Sequence, residues 1–167
     1  FDMYNNIYNE GAEFTYGSCW SICDSIPLIA QEYPPEVKAS KSYRQYKFNW
    51  NMPYTHLRTF KGELLHGYIH DNGYWAFKCP ATFEWLKAGG DTALFYALIE
   101  YADPDKVVCI PEIVYNYNDA NPNCDFRING KLQNETASYV LSQTAPKINS
   151  NQPSFAFEAG LFDLRPK

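Results

Sequence analysis

The stretch Ala88-Gly-Gly-Asp-Thr-Ala-Leu-Phe-Tyr-Ala-Leu-Ile-Glu-Tyr-Ala102 governs how the rest of the chain is read. Gly89 and Gly90 allow a tight bend, Asp91 stands where a helix N-cap belongs, and Ala93, Leu94, Ala97, Leu98 and Tyr101 follow at helical spacing. The spacing predicts an apolar helix with one carboxylate at its mouth. Two readings of Asp91 follow. It caps the helix by accepting first-turn amide hydrogens, or it is a general base held by a rigid element.

Working outward, Asp103-Pro104-Asp105 predicts a turn, Lys106 to Ile110 a buried strand, and Ile113 to Tyr117 a second strand. On the N-terminal side, Pro53 to Phe60 leads into a helical stretch through Leu64 and Leu65, and His70 to Tyr74 carries a turn signal. Residues 82–88 link that turn to the Asp91 helix. Pro27, Pro34 and Pro35 predict an irregular excursion between Asp24 and Met52, with at most one helix near Glu36 to Tyr43. Residues 1–17 read as a short helix carrying Met3, Tyr4, Ile7 and Tyr8, a glycine turn and the segment Phe14 to Gly17, after which a loop follows. A polar helix is expected near Leu132 to Leu141. The Pro-, Asn- and Ser-rich tail beyond it is expected to wrap the surface or dock a neighbour. The order of elements is mixed α and β. With 167 residues, one domain or the larger part of one is expected.

Net charge is −5, with Lys and Arg scattered, which argues against a phosphate-backbone footprint and against nucleic acid as a main partner. No apolar run approaches the roughly 18 to 20 residues that span a bilayer. The N-terminus has neither an apolar signal region nor an initiating Met, so further residues are expected before Phe1. Cys19, Cys23, Cys79, Cys109 and Cys124 are odd in number and irregularly spaced, which predicts reduced core thiols and a cytoplasmic location. Aromatics make up 17% of the chain, and several tyrosines lie beside Asn, a pairing suited to the faces of sugars as well as to ordinary core and surface packing. No Gly-rich phosphate loop and no internal repeat is present.

Besides Asp91, two clusters bear chemistry. Thr55-His56-Leu57-Arg58-Thr59 offers an imidazole, a guanidinium and two hydroxyls, which suit an anionic ligand or, equally, an inter-element ion pair and a satisfied histidine. Tyr115-Asn-Tyr-Asn118 with Asn121-Pro-Asn-Cys-Asp125 and Arg127 is a dense hydrogen-bonding set after a strand, and also ordinary turn chemistry. Asp103-x-Asp105 has the look of a metal-binding pair but lies where a Pro turn is expected, and Cys19-x-x-x-Cys23 lacks the second pair that zinc needs. Glu100 lies nine residues after Asp91, on roughly the opposite helical face. Glu84, Asp91 and Glu100 keep a two-carboxylate hydrolase in view, although their spacing gives it little support.

In order and content the segments Ile7-Tyr8-Asn9, Phe14 to Gly17, Glu32-Tyr-Pro34, His56-Leu-Arg-Thr-Phe-Lys61, Asp71-x-Gly73, Asp91-Thr-Ala93 with Glu100, and Val114-Tyr-x-Tyr-Asn118-x-x-Asn-Pro122 resemble family 2 glycosyltransferases. The resemblance covers residues from about 5 to 127 and is to the acceptor-side, C-terminal portion of a GT-A fold. It implies an α/β, Rossmann-like nucleotide-diphospho-sugar transferase domain with a mixed sheet and long loops, in which 1–127 is the acceptor-side region and 128–167 a C-terminal helix and tail. The implied reaction is inverting, metal-dependent transfer of a hexosyl or deoxyhexosyl group from a nucleotide-sugar donor to a carbohydrate hydroxyl. Asp91 falls at the base position. Thr55, His56 and Arg58 fall in a cluster bordering the donor or acceptor pocket, and Tyr117, Asn118 and Asn121 match a lining motif. The sequence departs from the family in lacking the nucleotide-binding βαβ half and the Asp-x-Asp that holds Mg²⁺ or Mn²⁺, which implies a missing N-terminal half or a neighbouring chain that supplies it. The competing expectation is a non-catalytic module that binds glycans or a protein through aromatic and Asn-rich loops.

Overall fold

The strand Phe14–Ser21 (β1) organises the sheet, because all of its residues except Trp20 are buried. A strand covered on both faces shows no hydrophobic alternation, which is why the sequence hides it. The computed structural model describes residues 2–46 and 55–143, with Thr55, Asp125 and Phe126 described at the backbone only. The strand Val107–Tyr117 (β4) runs parallel along the whole of β1 and takes one of its edges. The other edge is shared. Thr55–Phe60 (β3) lies antiparallel beside Phe14 to Gly17, and Ile26–Leu28 (β2) antiparallel beside Cys19 to Ser21. The result is a mixed four-stranded sheet within an α/β architecture.

Two sequence expectations are corrected, and one gains a strand. Residues 55–60 lead, as expected, into a helix through Leu64 and Leu65, and do so as a strand. The chain after Gly17 continues as strand rather than loop. The two strands expected at 106–110 and 113–117 are one strand with an irregular register, in which Ile110 pairs with Gly17 and Ile113 with Ser18. Pro111 lies in the interruption, where its missing N–H costs no ladder bond.

The helix Gly90–Tyr101 (α4) packs into the core almost all round, with Phe95, Tyr96, Ala97, Leu98 and Ile99 buried. Its N-cap is Gly89 rather than Asp91: Gly89 takes a left-handed conformation, φ 70°, that glycine adopts without the Cβ penalty, and Asp91 falls inside the first turn. Phe14 meets Phe95 edge-on at 5.4 Å, and Tyr33 meets Tyr43 edge-on at 4.9 Å, joining sheet, helix and the proline-rich excursion in one core. Among its described residues that excursion carries one α-helix, Pro35–Ser40 (α2), near the expected position. Asp2–Asn9 (α1) has no buried residue and is tied to the sheet by Tyr8, whose hydroxyl lies 2.6 Å from Thr59 Oγ1, itself 2.6 Å from Thr15 Oγ1.

Gly62–Asn72 (α3) ends at Gly73, φ 66°, later than the turn expected from His70. Asp125–Ile128 (α5) is a single turn before Gly130–Ser142 (α6), which buries Thr136 and Val140 and packs on α4. Deep in this core, Arg44 grips Glu100 through Nε at 2.7 Å and a terminal nitrogen at 2.8 Å, and donates a third bond to the Val140 carbonyl at 2.9 Å. The tail beyond 143, Tyr54 and the Thr55 side chain lie outside the described residues. All five cysteines are free thiols, but only Cys19 is buried, so the expectation of core thiols holds for one. Among the described residues no helix is long and apolar enough to cross a membrane.

Candidate functional site

The N-terminus of α4 opens on a cleft of about 360 Å³, within the size range of small-ligand sites. Each wall comes from a different element. β3 supplies His56, the segment before and into α4 supplies Leu86 to Asp91, and the end of β4 supplies Tyr117. The following loop and α6 contribute Cys124 and Gln133.

Among the described residues, Asp91 is the only carboxylate lining this cleft. Arg58 donates to its Oδ2 at 2.9 Å, with the Asp91 side chain 52% exposed and that of Arg58 14%. The guanidinium also lies over the Phe95 ring, 5.9 Å from its centroid, so a buried aromatic holds the cation that holds the carboxylate. The carboxylate is fixed from the side rather than sealed by its own helix amides, because the sharp turn at Gly89 carries it into the first turn and leaves the cap without a side-chain bond.

Beside this pair, the His56 imidazole stacks on Tyr117 with ring centroids 4.5 Å apart and planes 24° from parallel. Burial, helped by the neighbouring Arg58 charge and opposed by Asp91, pulls the His56 pKa down to about 4. The ring is therefore neutral at pH 7 and offers one donor and one acceptor nitrogen. Burial also pushes the Tyr117 phenol up, keeping it protonated.

Of the residues singled out in the sequence, Asp91, Arg58, His56 and Tyr117 are brought together. Thr55 contributes its backbone to β3, paired with Gly17. Asn118 and Asn121 are exposed, do not line the cleft, and serve the turn: Asn121 Oδ1 accepts from the Asn123 amide at 2.9 Å, and the Asn118 carbonyl from the Asn121 amide at 3.5 Å. The anchor of that loop is Asp119, which accepts from the Cys23 amide at 2.7 Å and bonds Ser21 Oγ at 2.5 Å. Cys124 falls within the Asn121 to Asp125 cluster singled out in the sequence, whereas Gln133 was not expected in the site. No local signal marks Gln133, because a polar helix facing solvent and one facing a cleft look alike in sequence.

Glu100 is sealed with Arg44, and Glu84 pairs with Lys87 at 3.5 Å near the surface, so neither shares the cleft with Asp91. Asp103 caps its own turn, accepting from the Asp105 amide at 3.1 Å. Among the described residues no group of three or more His, Cys, Asp or Glu could hold a metal ion, and Asp91 already holds a guanidinium. These donors do not fit a divalent cation. No protein-family model, no curated protein and no solved structure matches the chain.

Proposed function

We propose that the Asp91 cleft is the acceptor site of an inverting glycosyltransferase of the GT-A type, and that this chain is the acceptor-side part of that enzyme. The observation that carries the reading is the state of Asp91: one oxygen is fixed by Arg58 while the side chain stays half-exposed in a cleft walled by a Tyr117–His56 stack. A general base needs this combination of fixed position and open access. In this reading an acceptor hydroxyl donates to Asp91, its oxygen attacks the anomeric carbon of a nucleoside-diphosphate sugar, and the diphosphate departs from the opposite face as the proton passes to the carboxylate. Arg58 sets the carboxylate rotamer. Neutral His56 and the Tyr117 ring orient the sugar. The donor half and any divalent ion belong to residues outside this cleft.

Replacing Asp91 with Asn in the enzyme that contains this chain keeps the shape and removes the base. Turnover is expected to fall by about 10²- to 10⁴-fold with the fold intact. Activity that survives the change would remove Asp91 from the role.

A second reading rests on a different place. Trp75, Phe83 and Trp85 are 65%, 60% and 56% exposed on the segment leading to the cleft, with Trp75 edge-on to Phe83 at 5.9 Å. Rings so presented suit a glycan-binding module without catalysis. That module would bind glycans equally well as the Asp91→Asn variant and would never release nucleoside diphosphate.

A further inference from the structure

We infer that Gln133 reads a hydroxyl group of the ligand, making α6 the wall of the Asp91 cleft that sets specificity. The inference rests on the carbohydrate reading of that cleft and adds a residue to it. Gln133 lines the cleft, and its Oε1 is shielded without a hydrogen-bond partner among the described residues, so a ligand hydroxyl meets it once the side-chain amide turns toward the cleft. Burying an amide oxygen without a partner is unfavourable, and folding alone leaves that cost uncompensated. A ligand that donates to Oε1 would offset it.

The position of this amide is set by tight packing. A Cβ placed on Gly89 would come within 3.1 Å of Thr136 Cβ and 3.2 Å of the Gln133 carbonyl, so α6 lies directly against the turn that delivers Asp91. The two residues thus face one cleft from backbones in close contact. A carbonyl oxygen only accepts, so its partner must carry O–H or N–H. The surrounding charge favours a neutral donor: Asp91 is paired with Arg58, and Lys87 with Glu84. A hydroxyl of an uncharged sugar meets both conditions. Asp91 and Gln133 would then accept from different hydroxyls of the same ring.

The test uses the full chain and the methyl α- and β-glycosides of glucose, galactose and mannose, titrated while ¹H–¹⁵N spectra are recorded. At least one glycoside is expected to bind with movement of the Gln133 side-chain amide signal. Gln133→Leu should weaken that binding about fivefold to tenfold, the value of one neutral hydrogen bond. It should also leave the melting temperature unchanged or raised, since it removes an unsatisfied buried oxygen. The monodeoxy glycoside lacking the relevant hydroxyl should lose the same factor against the native chain and nothing against the Leu variant. Undiminished binding by Gln133→Leu overturns the role of Gln133 and leaves the carbohydrate reading standing. A lower melting temperature with unchanged affinity assigns Gln133 to structure instead. If none of the glycosides binds the native chain, the carbohydrate reading itself fails, and this inference with it.

Discussion

The two ends of α4 carry the same pair of chemical groups in opposite settings. At the C-terminal end Arg44 and Glu100 are 5% and 3% exposed and bound through two nitrogens. At the N-terminal end Arg58 and Asp91 share one short bond, and the carboxylate is half in solvent. An ion pair sealed in the core must be satisfied on every side, since removing one partner strands the other charge. A pair at the lip of a cleft contributes little to stability, so its carboxylate is available for binding and chemistry. The helix between them is a rigid spacer whose buried residues hold both ends in place.

The sharpest way to break this contrast is at the sealed end. Glu100→Ala leaves the Arg44 guanidinium uncompensated in the core and is expected to cost about 3–5 kcal/mol, read from the midpoint of urea unfolding. A loss below about 1 kcal/mol would show that the pair is not sealed in solution.

Next in size is the turn that separates cap from carboxylate. Gly89→Ala must accept φ 70° and a Cβ within 3.1 Å of Thr136, at an expected cost of about 2 kcal/mol. The variant should also disturb the cleft, since α6 has to shift, and crystals or spectra showing an unmoved α6 would count against that packing.

The open end carries its own pH signature. The His56 pKa is about 4 in the folded chain, against about 6.5 unfolded, so between these values the unfolded chain binds the proton and the folded chain does not. The stabilising contribution of neutral His56 is therefore full above pH 6.5 and is lost as pH falls toward 4. Comparing native chain with His56→Phe, the difference in stability should change by roughly 1–3 kcal/mol across that window. A parallel pair of pH profiles would contradict the burial of the ring.

Smallest of all is the expected effect of the open pair on stability. Asp91→Asn should change it by less than about 1 kcal/mol, in contrast to Glu100→Ala on the same helix. The same substitution removes a charge that holds the His56 pKa up, so the imidazole should titrate still lower by NMR, while Arg58→Met should move it higher. Shifts of the opposite sign would place the guanidinium elsewhere.

Much of this architecture is legible locally. The helix after Gly90, the helix α2 in the proline-rich excursion, the polar helix near 132–141 and the strand positions from 107 to 117 follow from spacing and turn residues, which act over a few neighbours. The opposite faces of Asp91 and Glu100 follow from 3.6 residues per turn. β1 and β3 were not legible, because a strand buried on both faces and a short strand set before a helix show no alternation to read.

In the candidate site, residue type and order picked out Asp91, His56, Arg58 and Tyr117 as bearers of chemistry. The sequence by itself determined which groups were available and which helix carried the carboxylate. Only the tertiary structure decided that Arg44 rather than Arg58 meets Glu100 and that Gln133 reaches the cleft. Those outcomes depend on contacts between residues tens of positions apart, and such contacts are set by how helices and strands pack together, for which neighbouring residues in the chain hold no record.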